Sequence, residues 1–224
     1  MRNHFARISL ILLVLLSLGT VACARTVPAG TFPEPVVDAQ KAQAKGQQTA
    51  VVAGGCFWGI QAVFQHVKGV ISATSGYSGG EAKTAQYELV STGETGHAES
   101  VKITYDPSQI TYGQLLRVFF LVAHDPTQLN EQGPDTGTQY RSSIFYNSDE
   151  QKKIAEAYIA QLNQAKIFPR AIVTQVVPLK AFYAAEAYHQ DYATTHPQSP
   201  YIVFNDAPKV AHLKQNFPDL YTGK

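Results

Sequence analysis

The chain has 224 residues, 45% of them hydrophobic, with 18 basic and 17 acidic side chains. That even balance leaves no basic stripe for nucleic acid. Two cysteines, Cys23 and Cys56, cannot build a disulfide framework, so ordinary packing must hold the fold.

Arg2 and Arg7, the apolar run from Ile8 to Leu18 and the small residues Ala22-Cys23-Ala24 predict an export signal over residues 1–24. The run is too short for a lasting transmembrane span. Cleavage after Ala24 removes Cys23. Cleavage before it leaves Cys23 as a first residue open to lipidation, for which Thr20-Val21-Ala22-Cys23 is an acceptable but imperfect signal. Either route leaves Cys56 without a partner cysteine and points to a periplasmic protein, free or anchored as a lipoprotein. Loss of Arg2 and Arg7 takes the basic count from 18 to 16 against 17 acidic. Residues 25–48, rich in Pro, Ala and Gln without an apolar period, are expected to be a flexible linker. Residues 49–224 are expected to form one domain without internal repeats.

Thr49-Ala50-Val51-Val52-Ala53 predicts a strand, and Ile60, Val63, Phe64 and Val67 form the stripe of a helix. Between them stands Gly54-Gly55-Cys56-Phe57-Trp58-Gly59. The cysteine thus falls near a helix start, where free N–H groups and the helix dipole favour a thiolate. A buried inert cysteine is the ordinary alternative, but flanking glycines at an element boundary suit a reactive group beside apolar walls. Further strands are expected over residues 70–76, 100–105, 143–146 and 171–177. Helices open at Thr111 and Ser148, each with a capping-box glutamine three residues on. The long loop from His124 to Tyr140 has the length of a functional one. Short strands and helices in alternation imply an α/β or α+β two-layer sandwich, with helices packed on a mixed sheet.

Several polar groups are candidates for chemistry. Glu99 shares parity with Val101, Ile103 and Tyr105, so it should point to the core, paired or with a raised pKa suited to a general acid; a strand-end carboxylate turned to solvent is the ordinary alternative. His97 has the same parity but no metal-spacing partner, and reads as a packing or hydrogen-bonding histidine. Tyr140 at the end of the long loop can offer a phenol, while Tyr87 and Asp135 are polar loop residues with nothing further to single them out. Tyr188-His189-Gln190-Asp191-Tyr192 can line a wall or cap a helix. No nucleophile elbow, dinucleotide fingerprint, phosphate loop or zinc spacing is present, so no cofactor or metal is implied.

Gly55-Cys56-Phe57-Trp58-Gly59, Gly96-His97-Ala98-Glu99, His124-Asp125-Pro126, Gly137 to Ser142 and Tyr188-His189-Gln190-x-Tyr192 together resemble the peptide methionine sulfoxide reductase A family, in order and spacing. The resemblance runs from about Thr49 to the C-terminal region. It implies a ferredoxin-like-related sandwich and the reduction of methionine S-sulfoxide, protein-bound or free. By that resemblance Cys56 matches the nucleophile and Glu99 the acid that protonates the sulfoxide oxygen. Tyr87, Tyr140 and Asp135 match the network around that oxygen, and Phe57 and Trp58 the methyl pocket. The product would be a Cys56 sulfenic acid. Two departures stand out. Gln61 replaces a common Glu, and reads as a helix-surface or supporting residue. No cysteine follows Cys56, so a thioredoxin-like or low-molecular-weight thiol would have to regenerate it in a one-cysteine cycle. The family implies a monomer. A thiol peroxidase or redox sensor, or a non-catalytic binder of oxidised methionine, are the alternatives. Acyl transfer would need a histidine beside Cys56, which the sequence does not indicate.

Overall fold

The computed structural model describes residues 32–223; the expected export signal and residues 25–31 lie outside them. Six strands form one sheet: β1 Gln48–Ala53, β2 Val70–Ser78, β3 Ala98–Tyr105, β6 Ser143–Tyr146, β7 Gln175–Pro178 and β8 Phe182–Ala184. Their order is β7-β6-β1-β3-β2-β8, antiparallel except for the β6–β7 pair. Two-residue strands β4 Glu131–Gln132 and β5 Asp135–Thr136 make a small separate hairpin. The helices are α1 Phe57–Gln65, α2 Tyr87–Val90, α3 Tyr112–Val118, α4 Asp149–Gln164, α5 Tyr192–Thr195 and α6 Ala207–Asn216. This is the α+β mixed sheet with packed helices that the sequence implied.

Period-two alternation sets which face is which. Ala50 and Val52 of β1 join Val101, Ile103 and Tyr105 of β3 in the main core, against Ile60, Val63 and Phe64 of α1, Leu115 and Leu116 of α3, and Ile154, Tyr158 and Leu162 of α4. Each Val, Ile, Leu or Phe among them contributes about 1.5–3 kcal/mol when fully buried. The opposite parity, Val51, Ala53, Ala98 and Phe145, forms a small second cluster with Val177, Leu179 and Phe182 packed on it. Glu99 has the parity of the main core and faces Tyr77 across the β2–β3 ladder.

Residues 32–47 do not behave as the linker expected of them. Phe32 is 2% exposed in the main core, and Tyr158 donates its hydroxyl hydrogen to the Pro33 carbonyl at 2.7 Å. Gln161 holds both the Val36 N–H and the Glu34 carbonyl. Asp38 accepts from the Thr111 hydroxyl and the Gly113 N–H. One aromatic anchor and a set of side-chain clips suffice to dock a segment with no helical or strand period.

Thr111 closes a full capping box with Gln114 at the start of α3, which runs on as a wider π turn over Phe119–Ala123. At α4 only half of the expected box forms. Ser148 accepts the Gln151 N–H, but the Gln151 side chain takes the Asn147 N–H and donates to the Thr49 carbonyl. The strand expected over 171–177 starts only at Gln175. Before it, the Ile172 and Val173 N–H groups bond to the Asn163 side chain and the Pro126 carbonyl instead of a neighbouring strand.

Candidate active site

Cys56 is the N-cap of α1, one turn from the end of β1, a free thiol 8% exposed. The chain reaches it through Gly55, whose φ of +96° suits glycine alone. A Cβ there would also meet the Gln132 side chain at 2.5 Å. The Gly55 N–H donates to the Tyr140 carbonyl at 3.1 Å, tying the end of the long loop to the cysteine.

Glu99, 3% exposed, lies at the same helix start. It accepts the Phe57 N–H at 3.1 Å, one of the amides that a helix leaves unpaired in its first turn. Burial pushes its carboxyl up to about 8, with Asp135 and Asp206 adding to the rise and the Phe57 N–H opposing it. At neutral pH Glu99 is therefore mainly a protonated acid, as its inward parity suggested. Burial also pushes the Cys56 thiol well up, reinforced by Glu99 and Asp206. This corrects the expected stabilisation of a thiolate. The helix start is there, but desolvation, with the acidic groups Glu99 and Asp206 nearby, outweighs it.

Phe57 is buried, its ring 5.1 Å from His189 and 5.9 Å from Tyr77. Trp58 is partly exposed, stacked on Tyr192 at 3.8 Å and edge-on to Tyr201. Tyr87 opens α2, its ring 4.5 Å from His189. Burial raises the phenols of both Tyr87 and Tyr140, and Glu99 and Cys56 add to each, so both stay protonated near neutrality. Asp135, in β5, accepts the Tyr201 hydroxyl hydrogen. All seven residues singled out in the sequence, Cys56, Phe57, Trp58, Tyr87, Glu99, Asp135 and Tyr140, are thus linked to one another by direct contacts, by shared ring neighbours or by their mutual electrostatic effects.

Other residues came from the structure alone. Glu186 accepts the Tyr87 N–H at 2.9 Å and the Tyr77 hydroxyl at 2.8 Å, fixing the start of α2. Tyr201 and the Asp206–Lys209 ion pair come from the C-terminal segment. Proline in the first turn of α6 was a legible sign of that helix; nothing in the local pattern marked its charges. Gln61 is buried rather than on the helix surface, bonded to the Ala73 carbonyl, to Gln190 and to the Asp191 N–H. Gln190 in turn clips onto the Ser75 backbone. His97 is a hydrogen-bonding and packing residue, set between the Gly80 N–H and the Glu81 carbonyl. His124, whose ring burial holds at about 4, stacks on Phe119 and bonds to Ser142. Among the described residues no acidic, histidine or cysteine cluster is placed to hold a metal ion.

A buried free thiol at a helix start, a buried carboxyl pushed up to about 8 and bonded to the same turn, and phenols and aromatic rings around them form an arrangement suited to thiol redox chemistry. The peptide methionine sulfoxide reductase family profile matches residues 48–220, and the chain belongs to that family, in its A class. It is 65% identical to peptide methionine sulfoxide reductase MsrA 2 of Mesorhizobium japonicum, over 81% of this chain and 93% of that protein. Identity is 51% to MsrA 2 of a Synechocystis species, over 84% and 89% of the two chains. The crystal structure of reduced Mxr1 from Saccharomyces cerevisiae superposes with a TM-score of 0.62 at 34% identity, covering 73% of this chain and 92% of that one. Methionine sulfoxide reductase A of Corynebacterium diphtheriae gives 0.61 at 34%, covering 77% and 86%. The chain is an oxidoreductase that reduces methionine sulfoxide.

Proposed function

We propose that Cys56 is the nucleophile and Glu99 the acid in the reduction of methionine S-sulfoxide, in peptides and as the free amino acid. The carrying observation is the Phe57 N–H bond to Glu99, which holds a carboxyl pushed up to about 8 at the helix start that Cys56 caps. As the Cys56 sulfur bonds to the sulfoxide, Glu99 gives its proton to the oxygen and takes up the thiol proton. The hydroxyl then passes to the cysteine sulfur as the new S–S bond and the substrate's S–O bond both break, and methionine leaves with a sulfenic acid on Cys56. Every proton is accounted for, and no net charge is left in a buried site. Tyr87 and Tyr140 donate to the oxygen as its charge grows, and Phe57 and Trp58 take the methyl group, a contact that suits sulfur-bearing groups. Fixed walls on one side and donors on the other select one epimer.

No cysteine follows Cys56, so an external thiol, thioredoxin-like or small, attacks the sulfenic sulfur. Water leaves, and a second thiol resolves the mixed disulfide. The N-terminal pattern around Arg2, Arg7 and Ala22-Cys23-Ala24 supports export, with the work done by a monomer outside the cytoplasm. The mass of the N-terminal peptide from the native source distinguishes a lipidated Cys23 from its removal.

A single turnover tests the reading. Reduced protein mixed with excess S-sulfoxide peptide and no reductant should form about one methionine per chain and lose one thiol at Cys56. The Cys56 peptide should then carry a dimedone adduct. No methionine, with the thiol intact, would overturn it.

A further inference from the structure

Helix α1 has glycine at position 59, where its first turn meets the C-terminal segment. A Cβ there would lie 2.1 Å from Asp206 Oδ1 and 2.7 Å from Lys209 Nζ. These two groups therefore lie directly against the helix backbone. Asp206 is fully buried, its Oδ1 bonded to Lys209 Nζ at 3.1 Å and its Oδ2 without a partner among the described residues. Gly59 stands three residues after Cys56, the spacing that places two positions side by side on one helix face. The ion pair thus sits beside the cysteine, in a space that any other residue at position 59 would fill.

We propose that Lys209, held against Gly59 by Asp206, is a positioning residue that supplies the positive charge needed for the buried Cys56 thiol to ionise. It rests on the reading of Cys56 as the reacting thiol and adds a source for its reactivity. The groups facing the site support this assignment. From β3 comes Glu99, from the β4–β5 hairpin Asp135, and from the turn before α6 Asp206, all of them acids. Tyr87, Tyr140 and Tyr201 are phenols, each pushed up by burial and by Cys56. His124 beside Gly54 is held neutral, and His189 beside Phe57 is lowered by burial. His66 and Lys214 line a cavity that Asp206 also borders and Cys56 does not. Burial, Glu99 and Asp206 push the thiol up; the Trp58 N–H and Lys209 oppose them, and of those two only Lys209 carries a charge. Asp206 has a second role, since an ammonium left unpaired in that place would be costly to bury.

The test reads the thiol alone, without sulfoxide, so it can fail while the reductase reading stands, and the reverse. The rate of Cys56 alkylation by iodoacetamide is followed against pH in the reduced full chain, as the mass of the Cys56 peptide so that Cys23 does not contribute. Lys209→Met should raise the midpoint by about one unit, a tenfold slower reaction below it. Lys209→Arg should stay within about twofold of the parent. Asp206→Asn should lower the midpoint, and the double variant Asp206→Asn with Lys209→Met should lie above Asp206→Asn alone. That last pair isolates the lysine charge even where Lys209→Met by itself fails to fold. An unchanged midpoint in folded Lys209→Met, or equal midpoints in Asp206→Asn and the double variant, would overturn the proposal and leave the pair a packing element.

Discussion

Cys56 and Glu99 stand on regular elements, one capping α1 and the other at the start of β3, and the Phe57 N–H joins Glu99 to the helix start. The segment from Glu186 to Lys209 closes the same site by other means. It is a series of short turns tied down by side chains: Glu186 on Tyr87 and Tyr77, Gln190 on the Ser75 backbone, Tyr192 on Trp58, Tyr201 on Asp135, Asp206 on Lys209. The first region places the reacting atoms, and the second supplies their surroundings. Damage to the first should cost chemistry at little cost in stability; damage to the second should cost mainly stability, and at Lys209 the reactivity of Cys56 as well.

The largest effect falls on the first region. Glu99→Gln should lower kcat by about 10²–10⁴, the range lost with a general acid, while the fold survives. The same variant sharpens the linkage. Glu99 in the folded protein titrates at about 8, raised from an ordinary value of 4.5. The folded state therefore holds its proton more tightly, and that contribution is complete below the ordinary value and lost as pH rises through about 8. Urea midpoints should fall from pH 5 to pH 8 in the parent, and less so in Glu99→Gln.

Phe32→Ala comes next, away from the chemistry. It should cost about 3–5 kcal/mol, as for other buried aromatic truncations, with kcat unchanged; a loose linker would give no loss in denaturant midpoint. Gly59→Ala tests the contact between the two regions. In an open helix the change gains about 0.5–1 kcal/mol, but the carboxylate against this backbone turns it into a loss of about 1–3 kcal/mol by overpacking. The smallest effect is Ser148→Ala, about 1 kcal/mol for a lost N-cap, readable in the urea midpoint and silent in activity.

The same contrast explains what the sequence disclosed. Glu99 was legible because period-two parity along β3 has a physical cause, and Cys56 because strand and helix patterns change character on either side of it. The family motifs then added Tyr87, Tyr140 and Asp135, which local pattern left unmarked. Asp206, Lys209, Tyr201 and Glu186 had no such support, because a residue in a turn acquires its neighbours only through the tertiary fold. The docking of Phe32 escaped for that reason too, and so did the burial of Gln61, which depends on Gln190 and Asp191 far along the chain. The raised Cys56 thiol is the clearest case. The helix start and the inward Glu99 were visible in the sequence, while the desolvation of the sulfur and the approach of Asp206 were not.

The central claim is that a protonated carboxyl faces a buried thiol, and it can be observed without turnover. Infrared difference spectra between the parent and Glu99→Gln isolate the carbonyl stretch of that one carboxylic acid. The account predicts a protonated band at pH 7 that disappears with a midpoint near about 8. A band already absent at pH 6 would contradict it, because Glu99 would then be an anion with no proton to give the sulfoxide oxygen.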